Sequence, residues 1–151
     1  MLVNTRFLRN VSVDISDGPL LRLLLGTESR IPQDVAALWT LSRVDVRRRG
    51  EKRGLVGLTR WGDISYGEKG AELTREGRGG RQTITFYSDL LDRLSRKACV
   101  AVIVHELAHA WLNEHVFPTS SEGREKEADD LARAWGFGRE LDQLEEEAET
   151  V

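Results

Sequence analysis

The stretch Val104–His115, VHELAHAWLNEH, is the most informative part of this 151-residue sequence because it contains all three of its histidines. Within it, His105, Glu106 and His109 form the pattern H-E-x-x-H. Residues at positions i and i+4 lie on one face of a helix, about one turn apart. If the stretch is helical, the imidazoles of His105 and His109 therefore point in the same direction.

Two imidazoles at this spacing can both reach one zinc ion at ~2.0–2.1 Å. Glu106 follows the first histidine directly, so its carboxylate can lie beside the metal without binding it and accept the proton of a zinc-bound water. The motif predicts Zn²⁺ as the cofactor, His105 and His109 as ligands, and Glu106 as the catalytic base.

A third ligand is expected because catalytic zinc usually has three protein ligands and one open position. His115 is one candidate, since its distance from His105 matches the metzincin pattern H-E-x-x-H-x-x-G-x-x-H. Leu112, however, stands where that pattern has the glycine that ends the helix. If the helix continues, six residues at about 100° each turn His115 roughly 120° away from His109 around the axis. His115 is therefore the less favoured candidate.

The favoured third ligand is Glu125, in the segment REKEADDLARA. Asp129 follows four residues later on the same helical face, where a second acid can accept the N–H of a coordinating histidine. Neither Glu122 nor Glu127 has an acid at this spacing. Without the H-E-x-x-H motif, these acids would be interpreted as the solvated face of a charged helix.

Together, HELAHAW and EKEADDLARAWGF resemble the gluzincin metallopeptidases, in which H-E-x-x-H on one helix is completed by a glutamate on the next, commonly within E-x-x-A-D. Glu125, Ala128 and Asp129 match that second motif position by position. The resemblance covers roughly residues 83 to 137 and is nearest to the small cytoplasmic ImmA/IrrE-like proteins, although their corresponding separation of histidine and glutamate is longer. It implies a zinc-dependent endopeptidase that acts on a protein or peptide substrate.

The resemblance also implies an α+β, zincin-like fold. Its small, mostly antiparallel twisted sheet would pack on the active-site helix, and a C-terminal helix would carry the third metal ligand. In such folds a strand ahead of the active-site helix pairs with extended substrate. The segment Gln82–Ser88 lies at that place, which makes Thr83, Thr85 and Tyr87 candidate substrate-binding residues; an interior strand is the alternative.

Local patterns predict a similar order of elements. A short strand and the helical segments LLRLLLG and IPQDVAALWTLS precede Arg43, and short β-branched and aromatic segments up to Tyr87 predict three or four antiparallel strands. Ser88-Asp89 is an N-cap signal for a helix that continues to about Glu114. The run CVAVIV inside it suits a buried strand or a buried helix, and the helix is favoured because no turn signal separates it from the histidines. After a loop at PTSSEG, one or two helices follow with a break at Gly136 and Gly138.

Length and composition predict one domain spanning residues 1–151. No apolar run approaches the ~20 residues of a membrane-spanning helix, and the first residues do not form a secretory signal, so no membrane partner is expected. The single cysteine, Cys99, suits a buried position and a reducing cytoplasm. Oligomeric state is not indicated by these features.

Charge is unevenly distributed along the chain. Residues 1–97 hold 18 Lys/Arg and 12 Asp/Glu, a balance of +6, whereas residues 98–151 hold 4 and 13, a balance of −9. Mutual attraction of the two parts is the simpler interpretation. The alternative function is a zincin-scaffold binding module, in which the basic stretch Arg43–Arg53 contacts nucleic acid or an acidic partner.

Overall fold

The computed structural model describes residues 2–4, 11–14, 18–32, 44–49, 64–68, 71–75, 82–87, 91–115 and 121–149. The strands in this part of the chain are β1 Leu2–Asn4, β2 Val11–Asp14, β3 Val44–Arg49, β4 Ile64–Glu68, β5 Ala71–Arg75 and β6 Gln82–Tyr87. The helices are α1 Gly18–Arg30, α2 Arg96–His115, α3 Ser121–Ala134 and α4 Gly138–Glu149.

The strands form one mixed sheet in the order β1-β2-β3-β6-β5-β4. The pairs β1/β2, β4/β5 and β5/β6 are antiparallel, whereas β2/β3 and β3/β6 are parallel. The prediction of three or four antiparallel strands between Arg43 and Tyr87 is therefore wrong for the β3/β6 pair, which is parallel, whereas β4/β5 and β5/β6 are antiparallel as predicted. After β3 the chain forms the β4/β5 pair at the outside of the sheet and returns to its centre as β6. A zincin-like architecture for the whole chain stays a prediction.

Some local predictions differ from the structure or lie outside the described residues. α1 continues past Gly26, where the sequence predicts its end, as far as Arg30. β5 is absent from the predicted strands because AELTR has one β-branched residue and no aromatic one. The predicted helix after Pro32 and the segment GLVGLTRW lie outside the described residues.

α2 begins at Arg96, later than predicted, and Ser95 caps its N-terminus. The Ser95 hydroxyl accepts a hydrogen bond from the Ala98 N–H, with 3.2 Å between Oγ and N. The predicted cap, Ser88-Asp89, lies outside the described residues. CVAVIV is helical, as expected, and Cys99 is buried. No helix among the residues that the structure describes has the length and apolar character needed to cross a membrane.

A sharp turn at Gly136 connects α3 to α4. The N–H of Gly136 donates to the carbonyl of Arg133, and the N–H of Phe137 donates to the carbonyl of Ala132, over 2.9 and 3.1 Å. These two bonds form a Schellman motif, which needs a residue with positive φ; Gly136 has φ +99°. The predicted break between the last two helices is found at this position.

Arg30, the last residue of α1, contacts this turn. Its guanidinium donates to Glu140 at 2.9 Å and to the carbonyl of Gly136 at 3.0 Å, and it lies 4.2 Å from the centre of the Phe137 ring. Phe137 is fully buried and Glu140 is 7% exposed. Ion pairing compensates the burial of the Glu140 carboxylate.

Glu147 connects the end of α4 to the start of α2. Its carboxylate accepts hydrogen bonds from the Ser95 N–H, at 2.7 Å, and from the Ser95 hydroxyl. These two bonds, with a further bond from Gln143, hold the pKa of Glu147 below its ordinary value of 4.5. Because the pKa is lower in the folded than in the unfolded chain, the stabilisation is fully present above pH 4.5. It is lost as the pH falls through the folded-state pKa.

We expect Ser95→Ala to lower the free energy of unfolding by about 1 kcal/mol at pH 7, because it removes a helix cap. Glu147→Gln should also destabilise the fold at pH 7, and its difference from wild type should shrink as the pH falls below 4.5. Urea unfolding across this pH range measures both effects. Glu146→Gln is the matched control, since Glu146 is an exposed acid on the same helix. A Glu147→Gln difference that stays constant with pH would contradict the assigned bond.

Candidate metal centre

The middle of α2 is buried on all sides and contains three titratable side chains. Every residue from 101 to 110 is buried. His105 is 6% exposed, His109 is 1% exposed, and Glu106 is 0% exposed. Burial of groups that can carry charge is costly unless they are paired or coordinate a metal. A concentration of such groups inside an otherwise apolar helix therefore indicates a functional centre.

α3 brings Glu125 to the two histidines. Its Oε2 atom lies 3.0 Å from His105 Nε2, and its Oε1 atom lies 3.0 Å from His109 Nε2. The two Nε2 atoms are 3.0 Å apart. One ligand atom from each of the three residues thus lies within 4.8 Å of the others. This group is the one that the sequence assigns to zinc.

The donor set and its spacing fit a zinc ion. Two imidazole nitrogens and one carboxylate oxygen are common zinc ligands, and a catalytic site leaves the fourth position open. Two atoms that each lie about 2.05 Å from a tetrahedral zinc ion are about 3.3 Å apart. The observed separations of 3.0 Å need only a few tenths of an ångström of expansion.

Asp129 fixes the orientation of the His105 ring. Its Oδ1 atom lies 2.8 Å from His105 Nδ1, on the side of the ring opposite Glu125. If His105 carries its proton on Nδ1, it donates that proton to Asp129 and leaves Nε2 free to bind a metal. Glu125 and Asp129 are four residues apart on α3, so one helical turn provides both contacts.

His115 is the last residue of α2. The helix therefore runs without a break from His109 to His115, which is the condition under which His115 turns away from the other two histidines. Its side chain lies outside those that the structure describes. The group of converging ligand atoms in the described part of the chain contains Glu125 instead.

The predicted substrate strand does not lie at an edge of the sheet. β6 is hydrogen-bonded to β3 on one side and to β5 on the other. Ile84 and Phe86 are fully buried, Tyr87 is 8% exposed, and Thr83 and Thr85 are half-buried. Because both backbone edges are occupied, the prediction that Thr83, Thr85 and Tyr87 bind extended substrate by strand pairing conflicts with this sheet order; the interior-strand alternative fits it.

The pKa values of two arginines of α3 depart from the ordinary value. Burial lowers the pKa of Arg124, the residue before Glu125, and this outweighs the attraction of Glu127. The pKa of Arg133 is raised, first by its hydrogen bond to Asp142 and to a smaller extent by other acids that include Asp129. Both side chains are expected to remain cations at neutral pH, since the ordinary pKa of arginine lies far above neutrality.

The sequence predicts no role for α4 in the site, yet this helix forms one wall of a cavity beside the candidate ligands. A cavity of about 120 Å³ lies between α2, α3 and α4, lined by Val102, His105, Glu125, Asp129, Leu141, Leu144 and Glu145. The only sequence signal is the spacing of Leu141 and Leu144, which indicates one buried helical face but not what that face contacts.

Comparison with known protein families supports a peptidase function for this protein. Residues 75–139 match the model of peptidase family M48, whose members are metalloproteases. The match is 65 residues long, less than half of the chain, and includes His105, Glu106, His109, Glu125 and Asp129. No curated protein and no solved structure gives a significant match. The match supports a metallopeptidase function in general, and the narrower resemblance to ImmA/IrrE-like proteins stays a prediction.

Proposed function

We propose that the protein is a zinc-dependent metalloendopeptidase of the gluzincin type, in which His105, His109 and Glu125 bind Zn²⁺ and Glu106 is the catalytic base. The observation that carries the proposal is the convergence of His105, His109 and Glu125 from α2 and α3: the two Nε2 atoms lie 3.0 Å apart, and each lies 3.0 Å from one oxygen of the Glu125 carboxylate. The match of residues 75–139 to a metallopeptidase family supports it.

Each side chain has a separate chemical role. A zinc ion held here would supply a Lewis acid that polarises the peptide carbonyl and lowers the pKa of water. Glu106 has a carboxylate that can accept a proton from the attacking water and return it to the leaving amine. With His105 protonated at Nδ1, Asp129 accepts a hydrogen bond from that N–H and would keep Nε2 directed at a bound metal.

The alternative binding function at Arg43–Arg53 gains no support from the described residues. Of this stretch the structure describes the backbone of Val44–Arg49, which is β3. β3 lies between β2 and β6, so its backbone offers no free edge to a partner. The family match and the converging candidate ligands favour peptide-bond hydrolysis, which we retain as the proposed activity.

Metal removal tests the proposal. We expect the purified protein to contain about one zinc per chain, because one group of three ligands converges among the residues that the structure describes. Hydrolysis of an unfolded protein such as casein should stop when a chelator removes the metal and return when Zn²⁺ is added. Metal analysis by mass spectrometry and gel-based cleavage assays measure both. A metal-free protein, or hydrolysis that persists after metal removal, would contradict the proposal.

A further inference from the structure

The cavity beside the metal centre has the size of one side chain. Its volume is about 120 Å³, somewhat less than a cavity of about 150 Å³ that accepts one benzene molecule. It is lined by His105 and Glu125, two of the three proposed ligands. A group that enters it therefore lies beside two of the proposed ligands.

The cavity is apolar inside and acidic at its mouth. Val102 and Leu141 are 2% and 3% exposed, so they form the inner wall. Leu144 is half-buried, and the side chain of Glu145 is 67% exposed. Leu141, Leu144 and Glu145 occupy positions i, i+3 and i+4 of α4 and so share one face of that helix. From the inner end of the cavity outward, this face of α4 presents the aliphatic side chains of Leu141 and Leu144 and then the carboxylate of Glu145.

Three carboxylates line the cavity, and Glu145 is the one for which the structure gives no contact with a histidine. Glu125 lies 3.0 Å from both proposed histidine ligands, and Asp129 hydrogen-bonds His105. Both of these acids are therefore committed to the metal centre. The charge of Glu145 is available to a group that enters from solvent.

One cation lies near this mouth and is already balanced. Arg133 pairs with Asp142 at 2.9 Å and lies 3.9 Å from Glu145. The closer pair neutralises the guanidinium, so the three side chains together carry one negative charge. The mouth of the cavity therefore favours a positive group.

We propose that this cavity receives the substrate side chain next to the scissile peptide bond, and that Glu145 makes it prefer lysine or arginine. The aliphatic stem of such a side chain packs on Leu141 and Leu144 while its charged end reaches Glu145. The proposal rests on the proposed peptidase function. α4 begins at Gly138, whereas the family match ends at residue 139, so this wall lies almost entirely outside the matched segment.

Zinc-chelating peptide hydroxamates test the proposal without requiring turnover. Three hydroxamates that differ only in one side chain, which is lysine, norleucine or glutamate, are titrated into zinc-loaded protein by calorimetry. Norleucine has the four-carbon stem of lysine without the ammonium group. We expect lysine to bind about threefold more tightly than norleucine, the size of one exposed ion pair. Glutamate should bind most weakly, and the differences should shrink in high salt.

Substitutions in the cavity lining test whether the preference for lysine arises there. Glu145→Gln should abolish the preference for lysine, and Glu145→Lys should reverse it. Glu146→Gln makes the same charge change one residue away, outside the cavity lining, and should preserve it. Leu144→Ala enlarges the cavity and should shift affinity from norleucine toward a phenylalanine hydroxamate.

The outcomes separate this proposal from the proposed function. Tight binding of all three hydroxamates with equal affinity, or a lysine preference that survives Glu145→Gln, would overturn the role of Glu145. A norleucine-to-phenylalanine ratio unchanged by Leu144→Ala would place the side chain outside the cavity. Failure of every hydroxamate to bind zinc-loaded protein would overturn the metal centre itself, and the subsite with it.

Discussion

Glu106→Gln is expected to lower kcat for peptide hydrolysis by roughly 10²–10⁴-fold, the usual contribution of a general base. Glutamine keeps the size of the side chain but cannot accept the proton from water. Glu106 is absent from the group of converging ligand atoms, so the zinc content should stay the same. Steady-state kinetics and metal analysis on the same preparation measure the two effects.

The control for this prediction is Glu127→Gln, which neutralises a half-buried acid on α3 that does not line the site. It should retain both zinc and activity. Because Glu106 is fully buried, the melting temperature of Glu106→Gln must also be recorded to show that the variant is folded. Loss of zinc from folded Glu106→Gln would identify Glu106 as a ligand, and full activity would exclude it as the base.

Glu125→Ala should weaken zinc binding more than any change outside the ligand set. Its two carboxylate oxygens each lie 3.0 Å from a histidine Nε2, so alanine removes one ligand outright. Asp129→Asn leaves the three ligands and disturbs only the bond to His105, and we expect it to lower zinc affinity by roughly 10–100-fold. Competition with a chromophoric chelator ranks the two variants against wild type.

His115→Ala is the matched control for the third ligand. Since α2 continues to His115, this side chain is expected to lie away from the metal, and its removal should leave zinc affinity near that of wild type. The reverse ranking, with zinc retained in Glu125→Ala and lost in His115→Ala, would make His115 the third ligand. Equal loss in both variants would imply a four-ligand site, which is typical of structural zinc.

The group of candidate ligands was predictable because the information that defines it is local. The spacing of His105 and His109 fixes their common face once α2 is a helix, and the spacing of Glu125 and Asp129 does the same on α3. Only one long-range statement was needed, namely that the two faces meet. The resemblance to gluzincins supplied it, and the structure places the four side chains together.

Features that depend on distant parts of the chain were not predictable in this way. Alternating residues show that β6 has one buried face, but whether it lies at the edge or in the centre depends on which strands pair with it. Ser88 and Ser95 are both acceptable N-caps by residue type. The structure shows Ser95 in that role, bonded to Glu147, 52 residues further along the chain. For the same reason the wall formed by α4 was missed.

The contact of Arg30 with the Gly136 turn has a consequence for the modularity of this protein. Arg30 precedes the family-matched segment by more than 40 residues, yet it covers Phe137 and neutralises Glu140 at the junction of α3 and α4. A chain that lacked α1 would leave the buried Glu140 carboxylate without its counter-ion in the first turn of α4, next to the Gly136 turn that ends the helix carrying Glu125. We therefore expect the segment with the recognisable motifs to be less stable without α1, so that the arrangement of the candidate ligands depends on a longer part of the chain.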